Sequence, residues 1–216
     1  MIKVFGFPLS PFVRKVHVVA AEKAIEIEMV LGRPGEPSAE FLAASPFRKI
    51  PALQDGDFTL SDSTAIVTYL DALKPDPPIA PGHARERARA IWFEEFADTI
   101  LIAAGGKVLF NRFVGPQLLG LPGDEAAAQQ GLKELEPIMA YLESQAPAEG
   151  WLTGGDFSIG DIAVAVTLRS LGYIALEPDA ASHPRTAAWY DRVKARPSWQ
   201  TVAAREAAVM DRALPR

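Results

Sequence analysis

Four prolines fall within nine residues at Lys74-Pro75-Asp76-Pro77-Pro78-Ile79-Ala80-Pro81-Gly82, and neither a strand nor a helix can run through them. Each proline lacks a backbone N–H and fixes its own φ, and each disfavours the helical region for the residue before it. The stretch reads as a linker dividing the chain into residues 1–80 and 81–216, because the hydrophobic period changes across it. With 216 residues and 49% hydrophobic content, the chain can build a core on each side.

Before the linker, strand and helix signals alternate. Ile2 to Phe7 suits a short buried strand that Pro8 ends. From Pro11 to about Lys23, Phe12, Val13, Val16, Val19 and Ala20 return at helical spacing, with Pro11 at the first helical position, where its missing N–H matters least. Ile25-Glu26-Ile27-Glu28-Met29 alternates as a strand with one buried face does. Gly32 to Pro37 reads as a loop and Ala39 to Ala44 as a short helix. Pro51 to Gln54 and Phe58 to Leu60 flank Asp55-Gly56, which predicts two strands about a tight turn. Asp62-Ser63-Thr64 opens a helix with Ile66, Val67, Leu70 and Leu73 as its apolar stripe.

Beyond the linker the strand signals stop. Residues 84–113 predict a long helical stretch with a bend or break at Gly105-Gly106. Val114 to Pro122 reads as a loop, and Glu125 to Ala146 as a helix that Pro137 interrupts or kinks. Further helices follow Ser158, span His183 to Ala195, and follow the Arg196-Pro197-Ser198-Trp199 corner. The second half is therefore all-α.

Charge and composition exclude several function classes. A formal charge of −5 opposes broad attraction to nucleic acid. No apolar run approaches the roughly 20 residues needed to span a bilayer, and Met1-Ile2-Lys3 lacks signal-peptide organisation. The expectation is a cytoplasmic protein with neither nucleic acid nor membrane as partner. His17, His83 and His183 are scattered and predict no metal site. The chain has no cysteine, which removes disulfides, thiolate metal sites and a cysteine nucleophile of its own. Sulfur chemistry must enter with a small molecule or a partner.

Five fragments, in this order and spacing, carry a family likeness: Ser10-Pro11-Phe12-Val13-Arg14-Lys15-Val16, Lys49-Ile50-Pro51-Ala52-Leu53, Ser61-Asp62-Ser63-Thr64-Ala65-Ile66, Phe157-Ser158-Ile159-Gly160-Asp161 and Ala195-Arg196-Pro197. With the linker and the all-α half, the whole chain resembles the cytosolic glutathione transferases, and a serine-type bacterial member in particular. The resemblance implies an α/β thioredoxin-like N-terminal domain, residues 1–80, that binds glutathione. It implies an all-α C-terminal domain, residues 81–216, that forms the second-substrate pocket. Glutathione would be the co-substrate, conjugated to a small apolar electrophile in detoxification, and the enzyme a homodimer. The same activated thiol would also serve a glutathione-dependent peroxidase or isomerase. A noncatalytic glutathione-binding module would keep the ligand cradle without activating the sulfur.

Ser10 stands where the first strand hands over to a helix, and its hydroxyl reads two ways. It can cap the helix by accepting from a first-turn N–H. It can also donate to a thiolate in the positive potential of that helix start. Both roles fit one hydroxyl; the resemblance assigns Ser10 the catalytic one, a hydrogen bond to the glutathione sulfur. Phe7 has no phenol, so the family's tyrosine alternative is missing from the opening segment. At Asp62-Ser63 a carboxylate can meet the ligand's α-ammonium while a hydroxyl meets its α-carboxylate, or Asp62 is a plain helix cap. The resemblance further implies a cis Ile50-Pro51 bond, with the Ile50 backbone pairing with the cysteinyl group. Lys49 lies near the glycyl carboxylate or is a solvated lysine. Arg14 reinforces the sulfur's electrostatics or lies on the solvated face of its helix. Ser158 and Asp161 have capping-box spacing, a structural role. Phe110 and Phe113 are candidates for the second-substrate rim. Trp92, Phe93 and Phe96 line an apolar pocket or belong to the core, and Trp151, Trp189 and Trp199 suit the core.

Overall fold

The computed structural model describes residues 1–31 and 37–213, and it groups them into two compact units. The first holds Met1–Ala80 together with Pro197–Val209; the second holds Pro81–Arg196 and residues 210–213. No helix among the described residues is long and apolar enough to cross a membrane.

The first unit is a mixed α/β layer of thioredoxin-like organisation. Its strands are β1 (Ile2–Gly6), β2 (Ile27–Leu31), β3 (Ala52–Asp55) and β4 (Phe58–Ser61), in the order β2-β1-β3-β4. β2 runs parallel to β1, whereas β3 and β4 are antiparallel to their neighbours. A parallel pair needs a crossover, and α1 (Pro11–Glu22) supplies it. β2 begins two residues later than the alternation predicts, after a turn in which Ala24 takes a positive φ of 46°. The expected loop from Gly32 lies, as far as Glu36, outside the described residues. α2 (Ala39–Ala44) and α3 (Ser63–Leu73) complete the unit's first 80 residues.

Close approach fixes where β1 ends. A Cβ on Gly6 would sit 2.5 Å from Val13 Cγ2, so glycine lets the strand terminus close onto α1. α1 is buried on more than its apolar stripe: Arg14, Lys15 and His17 are inside too, at 2%, 0% and 3% exposure. α3 packs on one flank of α1. On another flank α9 (Pro197–Ala213) reaches it through polar groups, Arg14 to Glu206 and Ser198 to Glu22. The proline segment is anchored to this unit. The buried Lys23 ammonium donates to the carbonyls of Lys74 and Pro77, each at 2.7 Å, and pairs with Asp71 at 2.6 Å. The Asp71 carboxylate also accepts from the Ile79 and Ala80 N–H groups.

The second unit is helical throughout. α4 (Ala84–Glu95) and α5 (Ile102–Leu109) are joined by a π-helical turn at Phe96–Leu101, and a second π-helical stretch carries the chain on from Phe110 to Leu119. The expected break at Gly105-Gly106 does not occur. Gly105 is a packing contact, for a Cβ there would lie 2.8 Å from the Leu171 side chain. Most of the expected Val114–Pro122 loop is helical as well; the wide π turn admits Pro116, and Gly120 ends it at φ 64°. α6 (Glu125–Gln145) passes through Pro137 without ending, and Gly131 brings it against Ala104 and Val108 of α5.

α7 (Ile159–Leu171) is the centre of this unit, with every residue except Arg169 buried. A helix apolar on all sides has nowhere else to go. α4 crosses it at Gly160, where a Cβ would meet the Ala90 carbonyl and Phe93. Asp161 fixes its start: Oδ2 accepts from the Ser158 N–H at 3.1 Å, while Oδ1 accepts from the Leu152 N–H and the Trp189 indole, each at 2.9 Å. α8 (Pro184–Lys194) has His183 at its N-cap with no side-chain cap bond. Glu143 of α6 does that work, accepting from the N–H groups of Arg185 and Thr186. Arg196 closes the unit with its guanidinium 3.9 Å from the Phe157 ring centre and 5.3 Å from that of Trp151.

Candidate functional site

Two helix N-termini in the first unit present hydroxyls that make no hydrogen bond to the described residues. Ser10 is the N-cap residue of α1, with extended backbone (φ −67°, ψ 127°), and its side chain makes no cap hydrogen bond. Its backbone is held on both sides: the Ser10 N–H donates to the Phe7 carbonyl at 3.0 Å, and its own carbonyl accepts from Arg14 at 2.9 Å. The capping role is thus not exercised, and the hydroxyl stands half-buried beside the positive end of a 12-residue helix.

The second terminus is that of α3. Asp62 Oδ1 accepts from the N–H groups of Thr64 and Ala65 at 2.9 and 3.1 Å, so the cap is real. Its backbone sits at φ 84°, outside the ordinary regions for a residue with a Cβ. Such strain costs on the order of 1–3 kcal/mol and is held only where the surroundings require it. The carboxylate is exposed, and one oxygen carries both cap bonds. Ser63 beside it is buried at 4% exposure, and its hydroxyl makes no hydrogen bond to a described residue. Lys15, itself fully buried, donates to Thr64 Oγ1 at 3.3 Å and so ties α1 to the first turn of α3.

The segment between α2 and β3 holds the other candidates. The Ile50–Pro51 peptide is cis, Ile50 is 37% exposed and Pro51 is buried. Lys49 is exposed, and its ammonium pairs with none of the described residues. What shapes this turn is Ser45, which the pattern of the sequence does not single out. Its buried hydroxyl accepts from the Lys49 N–H at 2.8 Å and donates to the Lys49 carbonyl at 2.7 Å. Arg48 between them adopts φ 56°.

Arg14 is not on a solvated face. Its Nε lies 2.6 Å from Glu206 Oε2, and both side chains are 2% exposed. In the helical unit, Phe113 stacks on Tyr173 with ring centres 5.0 Å apart and planes 10° from parallel, and the Arg169 guanidinium lies 5.0 Å from the Tyr173 centre. Tyr173 carries no motif and was invisible to spacing arguments. Phe110 is 45% exposed. Of the other aromatics, Phe93, Phe96, Trp189 and Trp199 are core, while Trp92 is 45% exposed and donates to the Tyr141 hydroxyl.

Comparison with known proteins decides the family. Residues 4–78 match the model of the glutathione S-transferase N-terminal domain, and residues 125–192 match that of the C-terminal domain. Glutathione S-transferase 3 of Zea mays is 30% identical over 210 residues, covering 94% of each chain. The chain belongs to the glutathione S-transferase family. This transferase is also similar to mouse glutathione S-transferase theta-3, 30% identical across 84% of the present chain and 77% of that one. Among solved structures, a glutathione S-transferase from Rhodospirillum rubrum superposes with a TM-score of 0.84 at 27% identity, covering 94% of this chain and 91% of that one. A glutathione S-transferase-I bound with lactoylglutathione superposes equally well, 0.84 at 26% identity, covering 94% and 98%. Membership makes the chain an enzyme that conjugates its co-substrate glutathione to small electrophiles.

Proposed function

We propose that the chain is a serine-type glutathione transferase in which Ser10 stabilises the glutathione thiolate for attack on a small apolar electrophile. The observation that carries this reading is the unused Ser10 hydroxyl at the start of α1. A thiol of pKa near 8.5 is only about 3% thiolate at neutral pH. Lowering that pKa by about two units stabilises the anion by about 2.7 kcal/mol. A hydrogen bond to a charged acceptor contributes about 1.5–3 kcal/mol, and a helix N-terminus about 0.3–1 kcal/mol. Together they reach the requirement without a general base. The thiol proton leaves to solvent, the sulfur lone pair forms the C–S bond, and the electrophile's leaving group departs or its carbanion is protonated.

In the same reading, Asp62 and Ser63 take the ligand's α-ammonium and α-carboxylate, the latter through the unused Ser63 hydroxyl. Ile50 and Pro51 present backbone to the cysteinyl group, and Lys49 meets the glycyl carboxylate. The bound lactoylglutathione of a structural relative supports a glutathione site of this kind. Residues 1–80 form the glutathione-binding domain and residues 81–216 the domain for the second substrate, with Phe110 and Phe113 contacting the apolar electrophile. The enzyme works as a homodimer: Phe47, 85% exposed, and Ile91 and Trp92, each 45% exposed, are apolar groups for a second copy to cover. Its place is the cytoplasm, the compartment that keeps glutathione reduced.

The test is an absorbance titration of bound glutathione thiolate against pH, run with a panel of electrophiles and peroxides. Wild-type protein should form thiolate about two pH units below free glutathione. Ser10→Ala should return the thiol towards its solution value and lower kcat by about 100-fold. Unchanged turnover in Ser10→Ala rejects the serine role, and turnover of peroxides alone rejects conjugation.

A further inference from the structure

Glu206 lies ten residues from the end of the chain, yet its side chain is buried, at 2% exposure. Neither the cap motifs nor the proposed ligand contacts require it. Its partner is Arg14, 192 residues earlier, at 2.6 Å. Arg14 Nη2 in turn donates to the carbonyl of Leu9 at 3.4 Å, and the Arg14 N–H donates to the carbonyl of Ser10 at 2.9 Å. One residue therefore holds the carbonyls on both sides of the Ser10 Cα, and Glu206 holds the guanidinium of that residue. The Ser10 side chain has no cap bond of its own, so its place rests on its backbone: this clamp and the bond from its N–H to the Phe7 carbonyl.

We propose that Glu206 is a positioning residue for Ser10, acting through Arg14, so that the C-terminal helix completes the thiolate site of the first unit. The proposal rests on the Ser10 reading above. Glu206 touches neither ligand nor reacting atom in this scheme. It keeps the Arg14 guanidinium in a single orientation, and the guanidinium keeps the Leu9 carbonyl, and hence Ser10, in register with the start of α1. Misplacement of a reacting group by about 1 Å can lower a rate by about 100-fold, so a partial loosening has a measurable effect. Elsewhere between the same two helices, Arg205 of α9 acts electrostatically on His17 of α1, and Glu22 of α1 accepts from the Ser198 hydroxyl of α9.

The experiment compares wild type with E206Q in three measurements: thiolate absorbance of bound glutathione against pH, kcat/KM for an electrophile that wild type turns over, and affinity for S-methylglutathione, which has no thiol. E206Q should form thiolate at a pH about one unit higher and lose about tenfold in kcat/KM at neutral pH. Its affinity for S-methylglutathione should change by less than about twofold. Removing the carboxylate charge through space alone would leave Arg14 uncompensated and shift thiolate formation to lower pH. A lowered or unchanged titration therefore overturns the proposal. Should E206Q fail to fold, the double variant R14M/E206M replaces the ion pair with apolar side chains that packing tolerates. It must show the same upward shift, and wild-type behaviour in it overturns the proposal. A wild-type enzyme that binds S-methylglutathione but leaves the thiol at its solution value rejects the Ser10 reading instead.

Discussion

Asp161→Ala should destabilise the helical unit by about 4 kcal/mol while leaving glutathione affinity nearly unchanged. The carboxylate is fully buried and accepts four hydrogen bonds, from the Leu152 N–H, the Trp189 indole, and the Ser158 N–H and hydroxyl. Alanine strands three N–H donors, and each costs about 1–3 kcal/mol when left unsatisfied in the interior. The gross loss is about 6 kcal/mol at the centre of that range. Part of it returns, because burial raises the Asp161 pKa although the bonds from Leu152, Trp189 and Ser158 oppose the shift. The ionised group therefore carries a desolvation cost that alanine removes, on the order of 2 kcal/mol. The net figure is a large share of the ~5–15 kcal/mol that holds a folded protein together. Urea unfolding followed by tryptophan fluorescence at fixed protein concentration measures it, with S-methylglutathione titration of the folded variant alongside. A stability loss under about 1 kcal/mol, or a tenfold loss of affinity with stability intact, would refute a purely structural role for Asp161. Asp161→Asn should fall between, since its one oxygen can still accept from Leu152 and Trp189, while its NH2 can donate to the Ser158 hydroxyl but strands the Ser158 N–H.

His17 is 3% exposed, its Nε2 lacks a partner, and burial, helped by the Arg205 charge, lowers its pKa from 6.5 to about 4. Between those values the unfolded chain holds more protons than the folded one, so stability falls as pH drops from 6.5 to about 4, by up to about 3 kcal/mol. His17→Leu should flatten this part of the acid limb in urea midpoints measured against pH; parallel curves for variant and wild type would remove His17 as the cause. Glu143→Ala takes the acceptor from the first N–H groups of α8 and from the Thr186 hydroxyl, and should lower stability by about 1–2 kcal/mol. Hydrogen exchange at residues 185 and 186 should quicken in step, and unchanged exchange would show that His183 or solvent already suffices.

The amino-acid sequence determined the division into an α/β half and a helical half, because proline excludes regular structure whatever surrounds it. The helix starts at Ser63 and Ile159 were likewise readable, since a cap and the N–H groups it serves lie within four residues of each other, and the start at Pro11 was marked by the proline itself. The lack of any cysteine set the chemistry to a borrowed thiol. Glycine pairs misled: Gly105-Gly106 looks like a break by local propensity, but Leu171 packs against Gly105 from another helix. Only the tertiary structure decided which of two local roles each polar group plays. The free hydroxyl of Ser10, the Ser45 grip on Lys49, the Glu143 cap of α8 and the Glu206–Arg14 clamp depend on contacts or backbone angles that a linear pattern does not encode. Glu143 and Thr186 are 43 residues apart, and Arg14 and Glu206 are 192 apart. Local propensity carries no information over such spans. Burial supplies it, because a charge taken from water must find its partner wherever the fold brings one.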